Sequence, residues 1–205
     1  GSVFCVTTGS ADGTEPIVKA TRKNKKTSGY CVEQYGILFS TVLFDLEVLM
    51  DHTLEKILAR VQKPGRYVGG EYNAVMKNKD EVDCRFAFCF PDTYEIGMSN
   101  LGLRILYGVA NEMDGVWCER VFAPWGDMEA EMRREGLPLY ALESGDPIAE
   151  FDIIGFSMGY EMAYTNVLNM LDLAGLPLRS EDRTELTPIV VAGGTSMYNP
   201  EPLSP

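Results

Sequence analysis

Two short apolar runs in the last third of the chain each end on small residues, and this feature most constrains the fold. The first run covers 151–157 (FDIIGFS) and the second covers 188–194 (PIVVAGG). The residues between them have the apolar spacing of an amphipathic helix. A strand, a crossover helix and a second strand form the unit of a parallel sheet. Because ligands of such sheets bind at the carboxyl ends of the strands, we expect the functional site there.

The chain from about residue 50 onward alternates between patterns typical of strands and patterns typical of helices. Strands are predicted at 82–90, 116–122, 151–157 and 188–194, with a short extra strand at 137–142. Helices are predicted at 53–62, capped by Asp51, then from Ser99 or Asn100 to Met113, at 127–135, and from Tyr164 to about Gly175. This order predicts an α/β fold with a doubly wound, Rossmann-like parallel sheet. Since the chain stops after the fourth main strand, we expect the sheet to be truncated before its last helix and strand.

Two of the predicted helices carry an apolar stripe at helical spacing, which is typical of the side of a helix that faces a core. The stripe of the first comprises Leu101, Ile105, Leu106, Val109 and Met113, and that of the second comprises Tyr164, Val167, Leu168 and Leu171.

The N-terminal part of the chain differs from the rest in charge. Residues 1–49 contain equal numbers of basic and acidic side chains, so the net charge of −12 belongs to residues 50–205. Gly1 and Ser2 resemble the remnant of a cleaved tag, and the first methionine is Met50. We therefore predict three parts: an N-terminal extension at 1–49, a leader helix and turn segment at 50–80, and a Rossmann-like domain at 81–205. The extension is either a stretch upstream of the natural start at Met50 or a real N-terminal arm.

Composition and motifs exclude several classes of protein. The acidic balance argues against a general nucleic-acid surface, and no apolar run is long enough to span a bilayer. Five scattered cysteines suggest buried thiols in a reducing compartment, the cytoplasm, rather than disulfides or a zinc site. No dinucleotide fingerprint and no P-loop is present. A single histidine, His52, removes most metal and triad chemistry, and Ser157 has no histidine partner in the predicted domain.

Three strings taken in order resemble the N-terminal cobalamin-binding domain of B12-binding radical SAM proteins. They are 91–103 (PDTYEIGMSNLGL), 151–157 (FDIIGFS) and 190–202 (VVAGGTSMYNPEP). Three further strings are similar to one largely uncharacterised subfamily of these proteins: 63–73 (KPGRYVGGEYN), 116–133 (VWCERVFAPWGDMEAEMR) and 164–179 (YTNVLNMLDLAGLPLR). The resemblance runs from about Met50 to Pro205 and covers none of residues 1–49.

The resemblance implies that the domain holds cobalamin over the carboxyl ends of the strands, for methyl transfer or related radical chemistry. It implies a partner as well, a radical SAM barrel of the same full-length chain that carries a [4Fe–4S] cluster and binds S-adenosylmethionine. The CxxxCxxC cluster motif of that barrel is absent here. The DxHxxG motif, whose histidine binds cobalt in many B12 domains, is absent too. We therefore expect base-off cobalamin without histidine ligation, and no catalytic residue in this part.

The resemblance also implies a set of cofactor-binding residues after three strands. Gly97 to Asn100 would form the loop after the first strand, and Tyr94 and Met98 would pack against the lower corrin face. Ser157 would hydrogen-bond the nucleotide tail, and the glycines after the fourth strand would let the corrin side chains approach the backbone. The full set is Tyr94, Gly97, Met98, Ser99 and Asn100 after the first strand, Ser157, Met158, Gly159 and Tyr160 after the third, and Gly193, Gly194 and Thr195 after the fourth.

Other interpretations of these residues stay open at the level of sequence. Gly193 and Gly194 could serve only a turn, and Ser157 only a helix cap. Asp92 and Glu95 follow the first strand, where loop carboxylates are usually solvated. The same fold could also act as a scaffold or docking domain that binds no cobalamin, which the missing DxHxxG motif favours, or as a flavin- or nucleotide-binding domain.

Overall fold

The computed structural model describes residues 3–9, 17–23 and 52–203. The chain divides into two units, Gly1–Leu43 and Phe44–Pro205. In the first unit, β1 (Val3–Gly9) pairs with β2 (Ile17–Lys23) in an antiparallel, two-stranded sheet. Most of the predicted N-terminal extension, and the predicted cap Asp51, lie outside the described residues.

The second unit is built on a four-stranded sheet in which all strands run parallel. Its strands are β3 (Cys84–Phe90), β4 (Val116–Phe122), β5 (Ile153–Ser157) and β6 (Ile189–Gly193). They lie in the order β4-β3-β5-β6, so the chain reverses its direction across the sheet after β4. The predicted α/β class and parallel sheet are confirmed. Because β3, β5 and β6 are neighbours, their carboxyl ends lie side by side at one edge.

Five α-helices connect or precede the strands in the described part of this unit. They are α1 (52–58), α2 (Tyr94–Ser99), α3 (Leu101–Glu112), α4 (Gly126–Glu135) and α5 (Tyr164–Leu173). Of the two predicted caps of α3, Ser99 and Asn100, the structure shows Asn100, whose side-chain oxygen accepts a hydrogen bond from the Leu103 N–H at 2.9 Å. Helix α4 ends at Gly136, whose φ of 70° is the left-handed conformation that glycine adopts most readily. None of the described helices is long and apolar enough to cross a bilayer.

One face of the sheet forms the larger core, under α1, α4 and α5. Alternate residues of β3 and β5 point into it, including Ala87, Cys89 and Ile154, all fully buried. Helix α1 contributes Ile57, which is also fully buried. Burial of one such aliphatic side chain stabilises the fold by about 1.5–3 kcal/mol. Helix α1 ends at residue 58, four residues before its predicted end.

The opposite face of the sheet is covered mainly by α3, with α2 beside it, so helices lie on both faces and the sheet is doubly wound. Leu103 and Tyr107 of α3 pack against Phe88 and Phe90 of β3. The Tyr107 hydroxyl oxygen accepts a hydrogen bond from the Val75 N–H at 2.7 Å, which holds this helix to the preceding segment.

The predicted apolar stripe of α3 does not face the sheet, and this expectation is wrong. Its members are between 54% and 67% exposed: Leu101, Ile105, Leu106, Val109 and Met113. The helix instead faces the sheet with Leu103 and Tyr107, which are four residues apart and lie on one side of it. In α5 the predicted stripe holds for Val167 and Leu171, which are buried, whereas Leu168 is exposed.

The predicted extra strand at 137–142 is also wrong. This segment forms only an isolated bridge between Tyr140 and Pro147. Its backbone groups bond to different elements, since the Leu139 N–H donates to the Leu173 carbonyl at 3.0 Å and the Leu142 N–H donates to the Arg120 carbonyl at 2.9 Å. No single neighbouring strand is available to pair with it.

The outer edge of β4 is closed by side chains rather than by a strand. The Asn111 amide accepts from the Cys118 N–H at 3.0 Å and donates to the Cys118 carbonyl at 2.9 Å. The Lys77 ammonium donates to the Val116 carbonyl at 2.5 Å. The Glu143 carboxylate accepts from the Arg120 N–H at 2.7 Å. These bonds occupy the backbone groups that an exposed edge strand would otherwise present.

Candidate functional site

The ends of β5 and β6 are joined by backbone hydrogen bonds. The Met158 N–H donates to the Gly193 carbonyl at 2.7 Å, and the Ser196 N–H donates to the Met158 carbonyl at 3.3 Å. The Thr195 hydroxyl donates to the Gly159 carbonyl at 2.9 Å. The structure therefore brings together the residues that the sequence predicts after the third and fourth strands.

Only glycine fits at position 194 of this junction, because of its backbone conformation and a close contact within the chain. Its φ is 114° and its ψ is 179°, a region that is essentially confined to glycine. A Cβ atom there would lie 2.2 Å from the Met158 carbonyl oxygen. The sequence pattern predicted the approach of a ligand to this glycine, whereas in the structure the chain itself approaches it.

Gly159 and Gly193, in contrast, border open space. A Cβ atom at either position would meet no heavy atom within 4 Å. Beside them lies an open depression of about 360 Å³, lined by Gly194, Thr195, Met197 and Tyr198. The Tyr198 ring is almost fully exposed. Small residues beside an exposed aromatic ring form a surface that a large, flat ligand can approach.

A hydrogen bond between Asp92 and Tyr160 joins the ends of β3 and β5. The Tyr160 hydroxyl donates to one carboxylate oxygen of Asp92, and the other oxygen accepts from the Thr93 N–H at 2.7 Å. This bond to a carboxylate raises the pKa of the Tyr160 phenol above its ordinary value. The sequence identifies both residues as candidates but does not predict their contact. The sequence signal for this contact was that each of the two residues closely follows a predicted strand, because parallel strands end at the same edge of a sheet.

We expect the pKa of Tyr160 to fall when Asp92 is replaced by asparagine. Deprotonation of the phenol breaks its hydrogen bond and places a second negative charge beside the carboxylate, so the carboxylate favours the protonated phenol. The neutral amide of Asp92→Asn removes the charge repulsion. Titration of ¹³Cζ-labelled tyrosine by NMR, with the Tyr160 signal assigned from Tyr160→Phe, measures this shift. An identical pKa of Tyr160 in both proteins would show that the pair does not form.

Glu95, the second carboxylate after β3, belongs to a surface cluster. It lies 2.8 Å from the Arg66 guanidinium and 3.3 Å from the Lys63 ammonium. The hydrogen bond from Arg66 lowers the pKa of Glu95 to about 2. The Arg66 guanidinium also lies over the exposed Trp125 ring, 5.7 Å from its centroid. Glu95 therefore remains ionised and helps to fix the segment before the sheet onto α2.

The expectation of a loop at 97–100 is wrong, because the short helix α2 covers 94–99. The Tyr94 hydroxyl donates to Glu71 at 2.9 Å, and burial, with that bond, raises the pKa of Tyr94 to about 12. The Met98 sulfur accepts from Arg120 at 3.2 Å. These contacts hold both side chains toward the segment before the sheet and β4.

The other three predicted residues of this group also have local structural roles. A Cβ atom at Gly97 would lie 2.1 Å from the Phe122 ring, so only glycine lets α2 approach β4 this closely. The Ser99 hydroxyl donates to the Ile96 carbonyl at 2.8 Å. Asn100 caps α3, as described above. Their proposed contacts with a cofactor remain predictions. These residues take part in local packing, capping and hydrogen bonds, whereas Gly159 and Gly193 border open space.

A buried ion pair that the sequence analysis missed links β3 to β4. The Arg85 guanidinium donates to the Glu119 carboxylate at 2.6 Å and to Asp146 at 2.8 Å. The second Glu119 oxygen accepts from the Ser144 N–H at 2.9 Å. Arg85 also lies over the Phe151 ring, 4.1 Å from its centroid. The Glu119 side chain has no exposed surface, so its charge depends on these partners.

A second buried cation lies on the other face of β4. The Arg120 guanidinium donates to Glu143 at 2.6 Å and to Glu71 at 2.9 Å. Glu71 also accepts from Tyr94, so this network ties the segment before the sheet to both β4 and α2. Its partners come from three separate parts of the chain, which a reading of the β4 sequence alone does not reveal.

Ser157 lies in a sequence pattern that the analysis of motifs overlooked. Residues 155–159 (GFSMG) match the GxSxG pattern of hydrolase nucleophiles. In those enzymes the serine lies on a sharp turn after a strand, but Ser157 is the last residue of β5 and pairs with Gly193. The only histidine, His52, lies on α1 with its ring 3.6 Å from Glu55. Within the described residues the Ser157 hydroxyl makes no hydrogen bond, so it has no general base but is available to a ligand.

Metal-binding and thiol chemistry find no support in the part of the chain that the structure describes. No group of three or more His, Cys, Asp or Glu side chains there could hold a metal ion. Cys84, Cys89 and Cys118 are free, and burial raises the pKa of each thiol. These thiols are therefore poor nucleophiles.

Comparison with known proteins gives one family. The model of the family described as "Radical SAM proteins, N-terminal" matches residues 102–205, which is half of the chain. The match covers α3 and every element that follows it, including the ends of β5 and β6. No curated protein and no solved structure matches the chain.

Proposed function

This chain belongs to the family of N-terminal regions of radical SAM proteins, and on this basis we propose that residues 81–205 bind cobalamin for a radical SAM enzyme. The cofactor would lie at the carboxyl ends of β5 and β6. The observation that carries the proposal is the open depression beside Gly194, together with the two unobstructed glycines at 159 and 193. Ligands of parallel α/β sheets bind at the carboxyl ends of the strands, which is where this depression lies.

The residues at this edge fit the groups that cobalamin presents. The Ser157 hydroxyl, which is unpaired among the described residues, can donate to a polar group of the nucleotide tail. The Tyr160 hydroxyl donates to Asp92, so its oxygen remains available to accept from an amide N–H of the corrin periphery. Tyr198 offers an exposed ring for apolar contact. The depression is flat and open, a shape that suits a large planar ligand better than a small ligand that binds in an enclosed pocket.

This location differs from the sequence-based expectation in one respect. Tyr94, Gly97 and Met98 are committed to packing and to the Arg120 network. We therefore propose that contact with the corrin comes from the residues that follow β5 and β6, with Tyr160 at the boundary toward β3. Ser99 and Asn100 act in the local structure of α2 and α3.

The cofactor would be bound base-off and without a histidine on cobalt. The chain has one histidine, His52, and it lies on α1 beside Glu55 rather than at the end of a strand. When bound, cobalamin supplies a cobalt centre suited to methyl transfer or related radical chemistry. The residues of this domain would hold and orient it. The [4Fe–4S] cluster and S-adenosylmethionine would belong to a radical SAM barrel in another region of the full-length protein, since the sequence has no CxxxCxxC motif.

We expect Gly159→Trp to weaken retention of cobalamin by more than about tenfold, because an indole ring would occupy the ligand's place. The fold should be unaffected, since a Cβ atom at Gly159 meets no heavy atom within 4 Å. The test is anaerobic incubation with hydroxocobalamin, desalting, and measurement of the retained corrin by absorption. The EPR spectrum of bound cob(II)alamin in the unmodified protein should lack splitting from an axial nitrogen.

Glu185→Trp is the matched control, because it adds the same ring at an exposed position before β6, at the amino ends of the strands. Its corrin retention should equal that of the unmodified protein. Equal retention in Gly159→Trp would remove the site from the ends of β5 and β6. Absence of retained corrin in the unmodified protein, and also in the full-length enzyme, would refute cobalamin binding itself.

The second candidate function is that of a docking scaffold for the radical SAM region, without cobalamin. The observation that favours it is the internal use of Gly97 and Gly194, whose lack of a side chain is explained by packing alone. The two functions separate in the experiment above. A scaffold leaves the corrin in the small-molecule fraction, separated from the protein, although it still belongs to a radical SAM protein.

A further inference from the structure

Helix α3 carries a row of exposed apolar side chains on the side away from the sheet. Leu101, Ile105, Val109 and Met113 recur every four residues, and Leu106 lies beside this row. Residues at this spacing form a continuous ridge along a helix. Scattered exposed apolar residues are normal, but a contiguous ridge on a helix is typical of an interface. We call this row the α3 ridge.

The sheet beside α3 is bare on the same face. Ile189 and Val191 of β6 are exposed. A Cβ atom at Gly155 would contact both Phe86 and Val191, so these residues lie on the face of the sheet that carries α3. On this face, α3 covers β3 and β4 but not β6. The α3 ridge and the bare part of β6 therefore lie on one side of the molecule.

The charges of α3 complement each other across a two-fold axis. Its two charged residues are Arg104 and Glu112, one in each half of the helix. Neither side chain forms an ion pair or a hydrogen bond within the described residues. When two copies of α3 pack antiparallel, Arg104 of one copy lies on the same flank as Glu112 of the other, about two residues apart along the axis, or about 3 Å.

The α3 ridge is also complementary to itself in shape. Its midpoint lies at residue 107, so in an antiparallel pair Leu101 of one copy faces Met113 of the other, and Ile105 faces Val109. Ridges of this spacing pack into the grooves of a second helix, with the two copies closest at the level of residue 107. An isologous contact of this kind is the commonest way in which identical chains associate.

We propose that the α3 ridge is the interface of a homodimer, in which a second copy of this chain packs α3 against α3 about a two-fold axis. The bare face of β6 lies beside α3 and would be covered by the same partner. The proposal does not depend on cobalamin binding, because the ridge and the proposed cofactor site consist of different residues. Dimer formation would leave Gly159 and Gly193 at the carboxyl edge of the strands.

The test is the molar mass of the 205-residue chain, measured by light scattering on a size-exclusion column over a range of concentrations. We expect twice the chain mass for the unmodified protein. Ile105→Glu should give the monomer mass, because it places a carboxylate at the centre of the apolar contact. At concentrations low enough to dissociate the dimer, the variant and the unmodified protein should unfold at the same temperature, since this side chain is exposed within one copy.

The charge pair gives a second, independent measurement. Arg104→Glu and Glu112→Arg should each weaken the dimer by about two- to fivefold, and the double variant should recover most of the loss. Leu168→Glu is the matched control, since Leu168 is an exposed apolar residue on α5, at the opposite face of the sheet. It should leave the mass unchanged.

A monomer mass for the unmodified chain at all concentrations would overturn the proposal. Hydrogen exchange would then identify the true occupant: protection of the α3 amides only in the full-length enzyme would assign the ridge to the radical SAM region. A dimer that survives Ile105→Glu would likewise overturn it, by placing the interface elsewhere.

Discussion

Replacing Arg85 by methionine is expected to lower the free energy of unfolding by about 3–5 kcal/mol, because it leaves a buried carboxylate without its counter-ion. Glu119 has no exposed side-chain surface and receives its shortest hydrogen bond, of 2.6 Å, from Arg85. Methionine preserves most of the volume of the side chain, so the loss reports mainly on charge. Urea unfolding followed by circular dichroism measures the effect.

The loss should depend on pH in a defined direction. In the native protein, burial raises the pKa of the Glu119 carboxyl, and the hydrogen bonds from Ser144 and Arg85 oppose this rise. Without Arg85 the pKa rises further. A carboxyl whose pKa is raised on folding contributes stability at low pH, which is lost as the pH rises through the folded-state pKa. The difference in stability between Arg85→Met and the unmodified protein should therefore be smaller at about pH 5 than at about pH 8.

Arg134→Met is the control for the removal of an arginine. Arg134 is more than half exposed and pairs with Glu131 and Glu135 at the surface. Exposed ion pairs contribute about 0–1 kcal/mol, so this variant should unfold almost as the unmodified protein does. If the two arginine variants lose similar amounts of stability, the pair between Arg85 and Glu119 is not buried as described.

Replacing Gly194 by alanine is expected to lower the free energy of unfolding by about 2–6 kcal/mol. Two effects contribute: the unfavourable backbone conformation at a φ of 114°, at about 1–3 kcal/mol, and overpacking against the Met158 carbonyl, at about 1–3 kcal/mol. The bond between the Met158 N–H and the Gly193 carbonyl should be disturbed as well. Hydrogen exchange at the Met158 amide would detect this locally.

The adjacent Gly193→Ala provides a matched control one residue away. A Cβ atom at Gly193 meets nothing within 4 Å, so stability should change by less than about 1 kcal/mol. Equal losses for the two alanine variants would contradict the close approach of Gly194 to Met158. The contrast also bears on cofactor binding, because only a substitution that leaves the fold intact can test a ligand contact.

The four parallel strands could be predicted because local signals mark each of them. Strand β4 is bounded by Gly115 and Pro124, and its predicted limits, 116–122, match the structure. The strand at β3 begins at Cys84, two residues later than predicted. Alternation and turn residues are short-range properties, so they are legible in one sequence.

The orientation of α3 could not be predicted, because exposed apolar residues outnumber the two that face the sheet. Periodicity identifies an apolar side of a helix but not the surface that it meets. Leu103 and Tyr107 were therefore missed, although the Tyr107 hydroxyl anchors the helix to the Val75 N–H. The ridge that dominated the pattern instead suggests an association between molecules.

The candidate site was predicted in position but not in its physical basis. The small residues after β5 and β6 do meet at one edge, yet Gly194 serves a contact with Met158, a residue 36 positions earlier. The contact of Tyr160 with Asp92 spans 68 residues. Such contacts depend on the register of the strands, which fixes which residues become neighbours only after the sheet has formed.

Because the outer edge of β4 is closed, further strands can join the sheet at one side only. Side chains of Lys77, Asn111 and Glu143 occupy the hydrogen-bonding groups there, so no further strand can be added on that side. Strand β6 pairs only with β5 within the described residues, and its free edge accepts a new strand without any rearrangement. Any enlargement of this sheet, whether by the same polypeptide or by misassembly with another, must therefore begin at β6.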